Sequence, residues 1–212
     1  MNANTRKQIY EILKSTNPAP STELKFASTF ELLIAVILSA QATDIAVNRA
    51  TEKLYLVANT PTALLALGEE KLIKFIQSIG LFRVKAKYIL ATCEQIMHKH
   101  NGQVPNSRND LEALPGVGRK TANVVLNIAF GQDTIAIDTH IYRVANRTKL
   151  AQGKTVRQVE DKLTKLTPLA YRQFAHHWII LHGRYICRAR QPECWRCPII
   201  NLCEYQNKIL KK

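Results

Sequence analysis

The sequence predicts an all-α protein. Three features carry that expectation: apolar residues recur at three- and four-residue spacing along nearly the whole chain, no pair of segments alternates with the period of two that a sheet needs, and the periodic stretches are bounded by capping residues and glycines. Phe30, Leu33, Ile34, Ile37 and Leu38 line one helix face, and Ser28 followed by Glu31 reads as a capping box at its start. Asp44 opens a second helix, with Val47, Ala50, Thr51 and Leu54 on one side. Thr60-Pro61 supplies a cap and a first-turn proline, and Gly68 closes that short helix. Leu72, Ile73 and Ile76 follow, in a stretch that ends at Gly80. The spacing predicts a helix over 84–97, carrying Tyr88, Ile89 and Ile96, with a turn at Asn101-Gly102. Ser107 caps a segment reaching Leu111 and Leu114, and Ala122, Val125, Leu126 and Ala129 mark a helix that stops at Gly131. The apolar run 134–137 is too short to define a strand. Asp138 can cap a helix with Ile141, Val144 and Ala145, and Thr155 one with Val156, Val159, Leu163 and Leu166. A last long helix spans 171–182. The total is about ten helices with short polar links. Asn17-Pro18-Ala19-Pro20 is a stiff connection and a candidate boundary.

Composition narrows the function. Lys and Arg number 30 against 16 Asp and Glu, a net charge of +14, which calls for a polyanion, with nucleic acid first and an anionic membrane face second. The longest apolar run, Leu32 to Leu38, falls far short of the ~20 residues that cross a bilayer. The polar N-terminus, with no apolar stretch behind it, does not read as a secretory signal. The expected location is therefore cytoplasmic, in association with the nucleoid, where the five cysteines stay reduced and serve as core residues or metal ligands.

The sharpest motif is Leu114-Pro115-Gly116-Val117-Gly118-Arg119-Lys120-Thr121-Ala122. A capped helix meets a Gly-x-Gly turn that runs straight into another helix. Such a helix-hairpin-helix, at about 107–130, presents unpaired N–H groups and the positive end of a helix dipole, which suit a phosphate. These contacts hold a nucleic-acid backbone and carry no sequence information. Gly-rich turns are also ordinary αα connections. Lys120 falls in the first turn of the new helix, where the dipole disfavours a cation. A partly neutral amine there can attack carbon and form a Schiff base, and a phosphate clamp is the plainer role. Asp138 has the plain role of an N-cap, while a carboxylate facing DNA can also offset charge developing on a sugar or activate a nucleophile.

Cys187, Cys194, Cys197 and Cys203 follow a C-x6-C-x2-C-x5-C spacing, which suits one metal site. Zinc and an iron–sulfur cluster both fit, although zinc sites favour two close pairs. Arg184, Arg188, Arg190 and Arg196 make the loop basic, so a rigid site there can hold arginines against a phosphate strand. Cys93 falls on the apolar side of its helix. Gln41, between two helices, and Leu81, after Gly80, are turn residues of the kind that wedge into a base stack, or else ordinary cap and core positions.

Together these residues resemble the endonuclease III family of DNA glycosylases with an associated lyase activity. The likeness runs from Glu31-Leu32-Leu33-Ile34-Ala35 and Ser39-Ala40-Gln41-Ala42-Thr43-Asp44 through 114–124 and Asp138-Thr139-His140 to the four-cysteine loop, 187–203. The resemblance implies two α-helical lobes with a DNA-binding groove between them, a six-helix lobe at 22–132 and a second lobe joining 1–21 to 133–212. It implies Lys120 as the nucleophile, Asp138 as the essential aspartate, and the four cysteines as ligands of a [4Fe-4S] cluster. Gln41 would fill the space left by an extruded base, with Leu81 as its partner wedge. Gly116, Val117, Gly118, Arg119, His140 and Arg184 are the further DNA-contacting candidates. The implied activity is base-excision repair: release of oxidised pyrimidines from duplex DNA, then cleavage 3′ to the abasic site by β-elimination through a lysine Schiff base, in a monomer. Two alternatives remain. An adenine-mismatch glycosylase of the same superfamily usually lacks the lysine, and a non-catalytic helix-hairpin-helix module would not nick DNA.

Overall fold

The computed structural model describes residues 1–211, and among them every regular element is a helix. The chain divides into two compact units, one of residues 22–131 and one of residues 1–21 together with the chain from Gln132 on.

Unit 22–131 is built around α2 (Thr29–Leu38), whose residues from Phe30 to Leu38 are all buried. A helix apolar on every side must be surrounded. Here α3 (Asp44–Tyr55), α6 (Phe82–His100) and α8 (Arg119–Phe130) pack on it. The short helices α4 (Pro61–Leu67) and α5 (Glu69–Ile76) lie against α6, and α7 (Arg108–Glu112) lies against α8. Local chemistry sets the boundaries. Ser28, Thr43, Thr60 and Ser107 each accept a hydrogen bond from an N–H three residues on, and Gly131 ends α8 at φ 63°. The capping box differs from expectation in one bond: Glu31 Oε2 accepts from the N–H of Ala27, one residue before the cap, at 2.5 Å.

In the other unit, α9 (Thr139–Thr148) packs on α10 (Val156–Leu166) and α11 (Arg172–Tyr185), and α1 (Ala3–Thr16) packs on α11. The N-terminal helix α1 is absent from the sequence expectation. It begins at Asn2, whose side chain caps Thr5 N, and it buries only Ile9, Tyr10 and Leu13. Tyr10 secures it: the ring stacks on Tyr171 at 5.7 Å, lies against Trp178, and the hydroxyl meets Thr167 Oγ1 at 2.9 Å. Burial pushes the Tyr10 phenol up to about 12. The run 134–137 is buried without forming a strand and delivers the chain to Asp138. No helix among the described residues is long and apolar enough to cross a membrane.

Candidate nucleic-acid and catalytic site

The hairpin between α7 and α8 is held by a close approach. Gly116 sits at φ 75°, and a Cβ there would stand 2.9 Å from Tyr88 Cβ on α6. Glycine at 116 is thus required both by the backbone and by the tyrosine. Gly118 differs: its φ is −92°, and a Cβ would meet nothing within 4 Å. Packing therefore does not require glycine at 118, and the space in front of it lies open at the start of α8. No side chain caps that start, so the first N–H groups of α8 present their positive dipole end outward. Val117 points the other way. Its side chain is 5 % exposed and its N–H donates to Leu114 O, so it serves the packing of the turn. Arg119 reaches back to Glu112 at 3.7 Å, bracing the two helices of the hairpin. Lys120 is exposed in the first turn of α8.

Asp138 is the N-cap of α9, with Oδ1 accepting from Ile141 N at 2.8 Å. One carboxylate oxygen thus satisfies the helix, and Oδ2 makes no hydrogen bond among the described residues. Asp138 belongs to the unit that contains α9, and Lys120 to the unit that contains α8. His140, in the first turn of α9, meets Arg143 at 3.2 Å through Nδ1. Arg143 is a residue that sequence spacing does not single out. Its guanidinium donates to Cys187 O at 3.0 Å and to Gly183 O at 2.8 Å, and burial lowers its pKa. It therefore ties the helix begun by Asp138 to α11 and to the first cysteine. Gly183 permits that approach, since a Cβ there would lie 2.9 Å from His140 Cβ.

The four cysteines of 187–203 are free thiols, none of them buried outright. Among the described residues, no three His, Cys, Asp or Glu side chains gather around one point as a single metal ion requires. The thiols nevertheless feel one another. Burial pushes Cys197 up to about 11, with the charges of Cys203, Cys187 and Cys194 acting in the same direction. Arg147 Nη1 donates to Cys187 Sγ at 3.7 Å, and His182 Nε2 and Cys197 Sγ lie 3.7 Å apart. Arg147 also donates to Arg188 O and Ala189 O, both at 2.7 Å, which rigidifies the loop. Arg188 and Arg196 both pair with Glu193, and Arg184 is half-buried on α11.

Gln41 and Leu81 are both exposed and both left-handed, at φ 56° and 61°. A bulky residue at positive φ costs about 1–3 kcal/mol, and such strain collects at functional sites.

Comparison with known proteins places this geometry. Residues 34–169 match the family described as HhH-GPD superfamily base excision DNA repair protein. Endonuclease III of Escherichia coli (strain K12) is 59 % identical over 209 residues, covering 99 % of both chains, and that of Haemophilus influenzae is equally similar. Among solved structures, a trapped endonuclease III–DNA covalent intermediate superposes with a TM-score of 0.90 at 41 % identity, covering 96 % of each chain. A thermostable thymine-DNA glycosylase, 23 % identical with a TM-score of 0.84, shares the fold. The chain belongs to the endonuclease III family of the HhH-GPD superfamily of base excision DNA repair proteins.

Proposed function

We propose that this chain releases oxidised pyrimidines from duplex DNA and then cleaves the strand 3′ to the resulting abasic site. The observation that carries the reading is Lys120, an exposed amine in the first turn of a helix that begins at an open, uncapped glycine turn. A phosphate held at that turn brings the sugar of the same strand to the amine. The solved structure of a trapped endonuclease III–DNA covalent intermediate, which covers 96 % of this chain, supports a reaction that passes through a covalent protein–DNA intermediate.

The chemistry follows from the two side chains. The damaged base leaves the stack, which costs a few kcal/mol and least where pairing is already poor. The unprotonated Lys120 amine attacks C1′ and the glycosidic bond breaks. The carboxylate of Asp138 offsets positive charge on the sugar or takes up a proton, using the oxygen that the helix cap leaves unbonded. The base departs with its electron pair and is protonated, leaving a Lys120–C1′ aminal; the nitrogen then loses a proton, the C1′–O4′ bond breaks and O4′ is protonated, so the sugar opens to an imine between Lys120 and C1′. The imine acidifies the C2′ hydrogen, and its loss expels the 3′ phosphate oxygen. Water then frees the lysine.

Cys187, Cys194, Cys197 and Cys203 would hold a [4Fe-4S] cluster. The donor set fits it: four free thiols close enough to influence one another, with an Arg147 N–H donor beside Cys187, in a C-x6-C-x2-C-x5-C spacing that departs from the two close pairs zinc sites favour. Bound there, such a cluster would hold the loop of 187–203 in place and would take no part in the chemistry at Lys120. Purified protein is expected to contain iron and sulfide in equal amounts, and stoichiometric zinc would overturn the assignment.

Borohydride trapping tests the lyase. Wild type is expected to form a covalent adduct with abasic duplex DNA, and Lys120→Ala none. A wild type without adduct would leave only a DNA-binding module. Damaged-base release from a duplex with a single oxidised pyrimidine separates this enzyme from an adenine-mismatch glycosylase. Its partner is duplex DNA, its expected state a monomer, and its expected location the cytoplasm in association with the nucleoid.

A further inference from the structure

Lys85 is an odd residue to find where it is. It lies on α6, one turn after Leu81, and is 4 % exposed. No carboxylate pairs with it among the described residues. Its ammonium instead donates to Leu38 O at 2.8 Å and to Ala40 O at 2.6 Å. These are carbonyls at and just beyond the end of α2, where a helix leaves acceptors unpaired and favours a cation. Burying an ammonium is costly, and burial lowers the pKa of this one. The charge is spent at a particular place: Ala40 O is the carbonyl immediately before Gln41, and the segment that carries Lys85 begins at Leu81. The two loops also lie close together, since a Cβ placed on Gly80 would stand 3.8 Å from Gln41 O. Gln41 and Leu81 are both exposed and held in the left-handed region.

We infer that Lys85 is a positioning residue for base extrusion: its ammonium bolts the Gln41 loop to the Leu81 turn so that the two wedges enter the duplex as one unit. The inference rests on reading Gln41 and Leu81 as wedges. Lys85 itself touches no DNA. Without the ammonium the carbonyls of Leu38 and Ala40 lose their donor, the loop can relax away from φ 56° at Gln41, and the spacing between the wedges is no longer fixed.

The test compares two substrates. One is a duplex with an oxidised pyrimidine and a neighbouring 2-aminopurine, whose stopped-flow fluorescence reports unstacking. The other is a single-stranded oligonucleotide with an abasic site, which needs no wedge and is followed by borohydride trapping. Lys85→Met is expected to slow unstacking by about tenfold or more, as a misplacement remote from the chemistry can, while changing single-strand trapping by less than about twofold. Gln41→Ala and Leu81→Ala are measured beside it. If they slow unstacking and Lys85→Met does not, the positioning role is wrong and the wedges stand. If neither wedge variant slows it, the wedge reading falls and takes this inference with it. Equal loss on both substrates would make Lys85 a residue of the general fold and overturn the role. Should Lys85→Met not fold, Lys85→Gln, which keeps a shorter donor, replaces it under the same criteria.

Discussion

Asp138 shows how one side chain serves two ends. Its Oδ1 caps α9 through Ile141 N, and its other oxygen makes no hydrogen bond in the described chain. Asparagine caps a helix as well as aspartate does, but it carries no charge. Asp138→Asn is therefore expected to keep stability within about 0.5 kcal/mol and to keep DNA affinity, yet to lose turnover. Asp138→Ala should lose turnover and also about 1 kcal/mol of stability. Urea denaturation together with single-turnover base release separates the two, and an active Asp138→Asn would reduce the residue to a cap. Asp138 is legible in the sequence because a cap needs only its own three following residues. Arg143 and Lys85 are not, since their partners Cys187 and Leu38 lie more than forty positions away. A lysine or arginine in a helical stretch reads as solvated until the fold supplies those carbonyls.

Elements were legible to the degree that their ends are local. Ser28, Thr60, Ser107, Asp138 and Thr155 all cap the helices that the spacing predicts. Helix α1 escapes that reading because it buries few residues, and what fixes it is Tyr10 against Tyr171, Trp178 and Thr167, from the far end of the chain. The hairpin shows the same division between its two glycines. Gly116 is demanded by a positive φ and by Tyr88, and Gly118 by neither. Gly116→Ala should destabilise by about 1–3 kcal/mol, through left-handed strain and overlap with the tyrosine ring. Gly118→Ala fits its backbone and should leave stability unchanged or raise it by about 0.4–1 kcal/mol. Its methyl group would project into the open space before α8, so duplex binding should weaken. Paired thermal melts and binding isotherms check this, and undiminished affinity in a well-folded Gly118→Ala would remove the phosphate from that turn.

At the scale of the whole chain, the excess of 30 Lys and Arg over 16 Asp and Glu acts chiefly through counterions. Duplex DNA releases condensed cations as phosphates are neutralised, so log K falls with log salt by about 0.9 for each phosphate contacted. Arg188 and Arg196 are paired with Glu193 and Arg119 with Glu112, so the number of effective contacts is far smaller than the count of basic residues. Four to six phosphates give a slope of about −4 to −5 on undamaged duplex, measured by anisotropy between about 50 and 200 mM salt. Two variants then divide charge from shape. Arg190→Ala removes an exposed cation of the cysteine loop and should flatten the slope by about one unit. Gly118→Ala removes none, so its weaker binding should run parallel to wild type at every salt concentration. A slope near zero in wild type would mean that the positive charge is not what holds this protein to DNA.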